Sequence, residues 1–310
     1  MPSPFLRAPI APLVLIVLSA CSSAPPPPTS IVLPEADAFT SRTELPEDGA
    51  VALQGQARIA RIRREPAQGL YNGSISEYDE YMGPGSAAID GTMVITYENG
   101  QPVATHLAAG DRGFAIDTRQ GDEFSTEDSY WGQIMWGGPN EAAARFVRPS
   151  ALGMDHMSYG RWMADGTDTG ATVGVGAYGA NTPEAAMPVS GEATYRGKGF
   201  GYYDQELGGI NVTDFDITMS TSDFRTVRIE SSNTLIANQT HNDESVYVDD
   251  LNFSGTGTIS GSRVTADITS ADLAGTADGQ FFGSGAEEFG GTFMLEAGDT
   301  THIGAFGASR

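Results

Sequence analysis

Asp214-Phe215-Asp216-Ile217-Thr218-Met219 sets an apolar residue at every second position, with acids or threonine between them. In an extended chain successive side chains point to opposite faces, so this stretch predicts a strand with one apolar and one acidic face. Val264, Ala266 and Ile268 alternate in the same way with Thr265 and Asp267, after a turn at Ser260-Gly261-Ser262. Working outward, similar runs recur at 191–195, 199–203, 227–231, 251–259, 275–282, 290–295 and 302–307, bounded by Gly, Asn, Asp and Ser. That makes eight or nine strands. So many adjacent antiparallel strands leave exposed edges unless the sheet closes, which predicts a small barrel with an apolar interior over residues 187–310.

The preceding half reads as β as well. Residues 92–97 and 102–107 flank Asn99-Gly100, whose residues accept positive φ at little cost, and this predicts a hairpin. One short helix is expected at 141–147, with Pro139-Asn140 before it and Pro149 after it. The fold class is therefore mainly β.

At the other end of the chain, Arg7 precedes the apolar run Ile10 to Leu18, which is too short to span a bilayer. Leu18-Ser19-Ala20-Cys21 follows, a layout of a signal peptide with small residues at its cleavage site. Cys21 is the only cysteine, so disulfides, thiolate nucleophiles and Cys-ligated metals are excluded from the mature protein. Ser22 to Pro28 is a stiff, extended spacer, and residues 21–48 are expected to be tether rather than domain. The chain carries 40 acidic against 17 basic residues, and its single lysine is Lys198. A body this acidic repels phosphate backbones, so no nucleic-acid partner is expected. The basic cluster Arg58, Arg61, Arg63 and Arg64 reads as a solvated face, with lipid headgroups as the alternative.

Four groups of residues resemble known families. Leu18 to Cys21 resembles the lipobox of bacterial lipoproteins, which implies lipidation of Cys21 and removal of residues 1–20. Met187-Pro188-Val189-Ser190-Gly191-Glu192-Ala193-Thr194-Tyr195-Arg196-Gly197 looks like the first barrel strand of transferrin-binding protein B-type surface lipoproteins. Gly279 to Gly283 with Ala286 to Phe293 is similar to that family's closing hairpin, and Gly304 to Arg310 to its last strand. The resemblance implies a smaller, flatter handle-like β subdomain over 49–186, ending near Ser158 to Trp162, followed by an eight-stranded barrel over 187–310. It departs from the family at Gly283-Ser284-Gly285, where the typical turn reads Gly-Pro-Asn, and in having room for one lobe only. It also implies an outer-membrane, surface location reached through a Slam-type translocator.

No catalytic constellation stands out. Gly174-Val175-Gly176-Ala177-Tyr178-Gly179 matches a dinucleotide fingerprint, but Pro183 and Pro188 follow where a helix is needed, so it reads as a glycine-rich loop. His106, His156, His241 and His302 lie far apart, and Asp243, Glu244, Asp249 and Asp250 form no EF-hand. The expected function is non-enzymatic capture of an extracellular protein or the nutrient it carries, without a cofactor. The alternative is a small ligand, haem first, because the resemblance extends to single-lobe haem carriers and a His, Tyr or Met could serve as axial ligand. Trp131, Trp136, Tyr159 and Trp162 are the candidate partner contacts, although a role in the core is the preferred reading of these rings, as for Tyr130.

Overall fold

The computed structural model describes residues 31–66, 78–126, 133–137, 142–167, 170–205, 209–237 and 245–310. It contains two antiparallel sheets, apart from one short parallel pairing, and no helix longer than a 3-10 turn among those residues.

The N-terminal sheet has eleven strands: β1 (Asp37–Ala38), β2 (Gly49–Pro66), β3 (Tyr78–Met82), β4 (Ile89–Glu98), β5 (Gln101–Ala109), β6 (Arg112–Asp117), β7 (Glu123–Thr126), β8 (Gln133–Gly137), β9 (Ala142–Phe146), β10 (Met157–Thr167) and β11 (Gly170–Gly179). Their order is β6-β5-β4-β2-β11-β10-β9-β8-β7, with β1 and β3 also pairing with β2. The predicted hairpin is β4–β5, and its turn residues Asn99 and Gly100 have φ of 52° and 71°. The sheet curls until β6 lies against β8 and β9, so it is nearly closed rather than flat. Val51, Leu53, Met93, Leu107, Phe114, Phe146, Trp162 and Tyr178 point into the curl and form a core of their own. Phe114 faces Phe146 and Trp162 across it, at ring-centroid distances of 6.5 and 6.0 Å.

Three expectations are corrected here. Residues 142–146 form β9, not a helix: their burial alternates, and they pair on both sides with β8 and β10. A two-turn helix has little stability of its own, so sheet pairing prevails. The tether does not extend to residue 48, because Asp37 and Ala38 pair with β2, and Phe39 and Leu45 pack against the core of the curl. Finally, Gly174 to Gly179 lies within β11, every residue of which is buried. A Cβ at Gly174 would lie 2.2 Å from the Trp162 indole, so glycine here makes room for a ring, not for a phosphate.

The barrel comprises β12 (Ala193–Gln205), β13 (Gly209–Thr221), β14 (Thr226–Ala237), β16 (Ser254–Ser260), β17 (Arg263–Thr269), β18 (Ala274–Phe282), β19 (Glu288–Ala297) and β20 (Thr300–Ser309), with the two-residue β15 (Val246–Tyr247) alongside β14. β12 pairs with β13 on one side and β20 on the other, which closes the ring, and Gly199 stands opposite Phe306. Residues 251–253 precede β16 rather than belonging to it, because Asp249–Leu251 makes a 3-10 turn. Along β17 the alternation is complete: Val264, Ala266 and Ile268 are buried and their neighbours exposed. The interior holds Tyr195, Phe215, Phe253, Phe281, Phe289, Phe293 and Phe306. Phe253 and Phe293 stack at 4.6 Å, and the Tyr195 hydroxyl donates to the Ala286 carbonyl at 2.6 Å. Each such ring contributes about 1.5–3 kcal/mol by leaving water.

Candidate functional site

Most of the outer face of β2, β10 and β11 is covered by the barrel. Ala60, Ile62, Met157, Tyr159, Val173, Val175 and Ala177 pack on Phe200, Phe282, Ile303 and Ala305 of the barrel, making one continuous core between the sheets. Tyr159 and Phe200 approach to 5.2 Å between ring centroids. Phe282, at the end of β18, packs in this junction rather than inside the barrel.

Buried polar groups of the two sheets also meet there. Arg58, 1% exposed, reaches from β2 to the barrel. Its Nη2 donates to the Asp278 carboxylate, to Thr276 Oγ1 at 2.8 Å and to the Thr276 carbonyl at 3.3 Å, and its Nη1 donates to the Ser86 carbonyl at 3.2 Å. Burial lowers the guanidinium pKa, and Asp278 partly offsets the shift. Two further barrel carboxylates accept backbone N–H groups of the N-terminal sheet and its loops: Asp204 from Met82, and Glu288 from Asp155 and His156. Burial pushes both acids above the ordinary carboxylate range, while those N–H bonds pull in the opposite direction. With the apolar contact around them, these bonds hold the two sheets as one lobe.

The basic cluster is thereby corrected. Arg58 is the buried ion-pair partner just described, Arg61 and Arg63 are exposed, and the side chain of Arg64 lies outside the described residues. Two candidate partner contacts are corrected as well. Tyr159 and Trp162 are 0% and 1% exposed, one at the inter-sheet junction and one inside the curl, so neither ring is available to a partner. Trp136 lies in β8 with its side chain undescribed, while Trp131, Tyr130 and Cys21 lie outside the described residues.

The described histidines stay separate. His106 sits in β5, its pKa lowered by burial. His156 Nδ1 lies 3.0 Å from the Thr40 carbonyl. His302 is fully buried in the barrel, 2.9 Å from Thr213 Oγ1, and burial pushes its pKa down to about 3, so the ring stays neutral. Among the described residues no three His, Cys, Asp or Glu side chains group as a metal site. His241, Asp243 and Glu244 lie outside those residues, and Asp249 accepts a bond from the Asn252 side chain at 3.2 Å.

Two features escaped sequence reading. Val189, Val246 and Tyr247 are 84%, 56% and 69% exposed. Val246 and Tyr247 sit on β15, which pairs with the C-terminal end of β14, and nothing in their local pattern separates them from a half-buried strand. The second feature is a cavity of about 270 Å³ at the edge of the curl, between β2, β4, β5 and the segment carrying Phe39 and Leu45. That segment reads as tether by composition, which hid it.

Residues 187–310 match a family model described as the C-lobe and N-lobe beta barrels of Tf-binding protein B. Among solved structures, a mutant of Transferrin Binding Protein B from Haemophilus parasuis Hp5 is similar at 12% identity, with a TM-score of 0.40, covering 87% of this chain and 78% of that one. Transferrin binding protein B from serogroup B Neisseria meningitidis gives 13% identity, a TM-score of 0.36 and the same coverage. The N-lobe of Lactoferrin Binding Protein B of Moraxella bovis gives 12% identity and a TM-score of 0.31, covering 82% of this chain and 99% of that one. A search of curated proteins found no match.

Proposed function

We propose, from the premise that residues 187–310 are a barrel of the Tf-binding protein B type, that the chain is a surface-exposed bacterial lipoprotein that captures an extracellular protein or the nutrient it carries. The family match supports this reading most directly. In it, Cys21 carries the lipid anchor and residues up to about 36 form the spacer. A Slam-type translocator brings the lobe to the outer face of the outer membrane. The lobe acts by binding rather than catalysis, and its partner is not specified by the fold, since folds of this kind do not transmit a ligand.

The exposed Val246 and Tyr247 are the contact residues we favour among those described. Tyrosine supplies a large, amphipathic contact at low entropic cost, as interface anchors do. The negative charge of the chain, −23, favours a partner with a basic face. The test is photo-crosslinking on intact cells from position 247, with the cells bathed in fluid from their habitat. A specific adduct with an extracellular protein, lost in Val246→Asp, is expected. If crosslinkers at 246 and 247 both yield no adduct, the capture reading fails for this face.

A further inference from the structure

The cavity in the N-terminal sheet is independent of that surface. Its volume is about 270 Å³, and its walls are mostly apolar, with Leu53 from β2, Met93, Ile95 and Tyr97 from β4, Phe146 from β9, Met157 from β10, and Phe39 and Leu45 from the segment before β2. An apolar cavity of about 150 Å³ takes up benzene, so on that scale this one holds about eleven non-hydrogen atoms.

One polar group gives the cavity chemical character. Thr105 lines it, is 1% exposed, and its Oγ1 has no hydrogen-bond partner among the described residues. Leaving a buried hydroxyl unpaired is unfavourable, and a ligand that bonds to it removes that penalty. Tyr97, on the adjacent strand, presents a second hydroxyl whose pKa burial raises to about 12, so it stays protonated. Among the described residues the rim offers no uncommitted cation: Arg42 is bound to Asp155 at 2.8 and 3.1 Å, and Arg148 has interactions of its own. A charged ligand would therefore be desolvated without compensation.

We propose that this cavity binds a small, uncharged, largely apolar molecule bearing one hydroxyl or carbonyl group, which hydrogen-bonds Thr105 Oγ1 while its apolar body lies among Leu53, Met93 and Ile95. Such a site is chemically unlike the protein-capture face and does not depend on it. It gives the lobe a second binding capacity, for aromatic alcohols or medium-chain alcohols of about that size.

The polypeptide from Ser22 to Arg310, which keeps every described residue, is titrated calorimetrically with 2-naphthol, naphthalene and 2-naphthoate. Saturable one-to-one binding of 2-naphthol is expected, with 2-naphthoate weaker by about tenfold or more. Thr105→Val keeps the shape and removes the hydroxyl. It should weaken 2-naphthol by about 2- to 10-fold and leave naphthalene unchanged or slightly tighter. Ile95→Trp fills the cavity from a half-buried position and should abolish binding of both while the far-ultraviolet circular dichroism stays native. Should that variant not fold, Leu53→Phe replaces it. Absence of saturable 2-naphthol binding by the unmodified chain overturns the proposal. So does binding that survives a folded cavity-filling variant, or an equal loss of naphthalene and 2-naphthol in Thr105→Val.

Discussion

Replacing Arg58 by alanine removes the donor that serves the Asp278 carboxylate, both oxygens of Thr276 and the Ser86 carbonyl. Arg58 is 1% exposed and the Asp278 side chain 20%, so the carboxylate left behind keeps only a bond from Thr265 Oγ1 at 3.3 Å and is partly reached by water. Breaking a buried ion pair from one side costs about 3–5 kcal/mol, and the partial exposure of Asp278 places this case near the lower end, about 3 kcal/mol. For a lobe of this size each kcal/mol corresponds to about 2–4 °C, so the melting temperature should fall by about 6–12 °C. Urea unfolding followed by tyrosine and tryptophan fluorescence measures the loss. The double variant Arg58→Met/Asp278→Leu, which removes both charges and keeps apolar volume, should recover most of it. Stability of Arg58→Ala within about 0.5 kcal/mol of the parent would refute the view that this pair is buried and joins the sheets.

Glu288 sets the sign of one pH effect. Its folded pKa lies above the ordinary 4.5 because burial disfavours the charge, so the folded state binds more protons and stability falls as pH rises through that window. The advantage of the parent over Glu288→Gln in urea midpoint should therefore be larger at pH 4.5 than at pH 7, and an advantage that grows with pH contradicts the assignment. Gly174→Ala forces a methyl group to 2.2 Å from the Trp162 ring and should cost about 1–3 kcal/mol, read by thermal unfolding. Deleting residues 304–310 removes most of β20 from between β12 and β19, together with the buried Phe306, and should abolish cooperative unfolding of the barrel. An unchanged melting curve would show that β20 does not close it.

The barrel was legible because its strands keep a strict two-residue period with glycine and polar turns, as in β17, and the β4–β5 hairpin because Asn99-Gly100 is a strong turn signal. What failed was long-range. Arg58 looks like one member of a solvated basic run until Asp278, 220 residues away in the chain, is placed beside it. Residues 142–146 carry helix-like boundaries, and only the two neighbouring strands decide against them. Phe39 and Leu45 sit among prolines and acids that suggest a tether, yet they roof a cavity whose walls come from β2, β4 and β5. Tyr159 and Trp162 were ambiguous between core and surface for a physical reason: a large aromatic ring suits either setting, and strand register, not residue type, chose the interior. Val246 and Tyr247 show the converse, two large side chains left exposed on a two-residue strand.

Anchoring and display of the lobe are tested together by antibody labelling of intact cells producing either the parent chain or Cys21→Ser, with membrane fractionation of both. The parent should be labelled, sit in the outer-membrane fraction and be cut by protease added outside, whereas Cys21→Ser should leave that fraction and escape labelling. Identical fractionation and labelling of the two chains, or a parent lobe shielded from both antibody and protease, would contradict it.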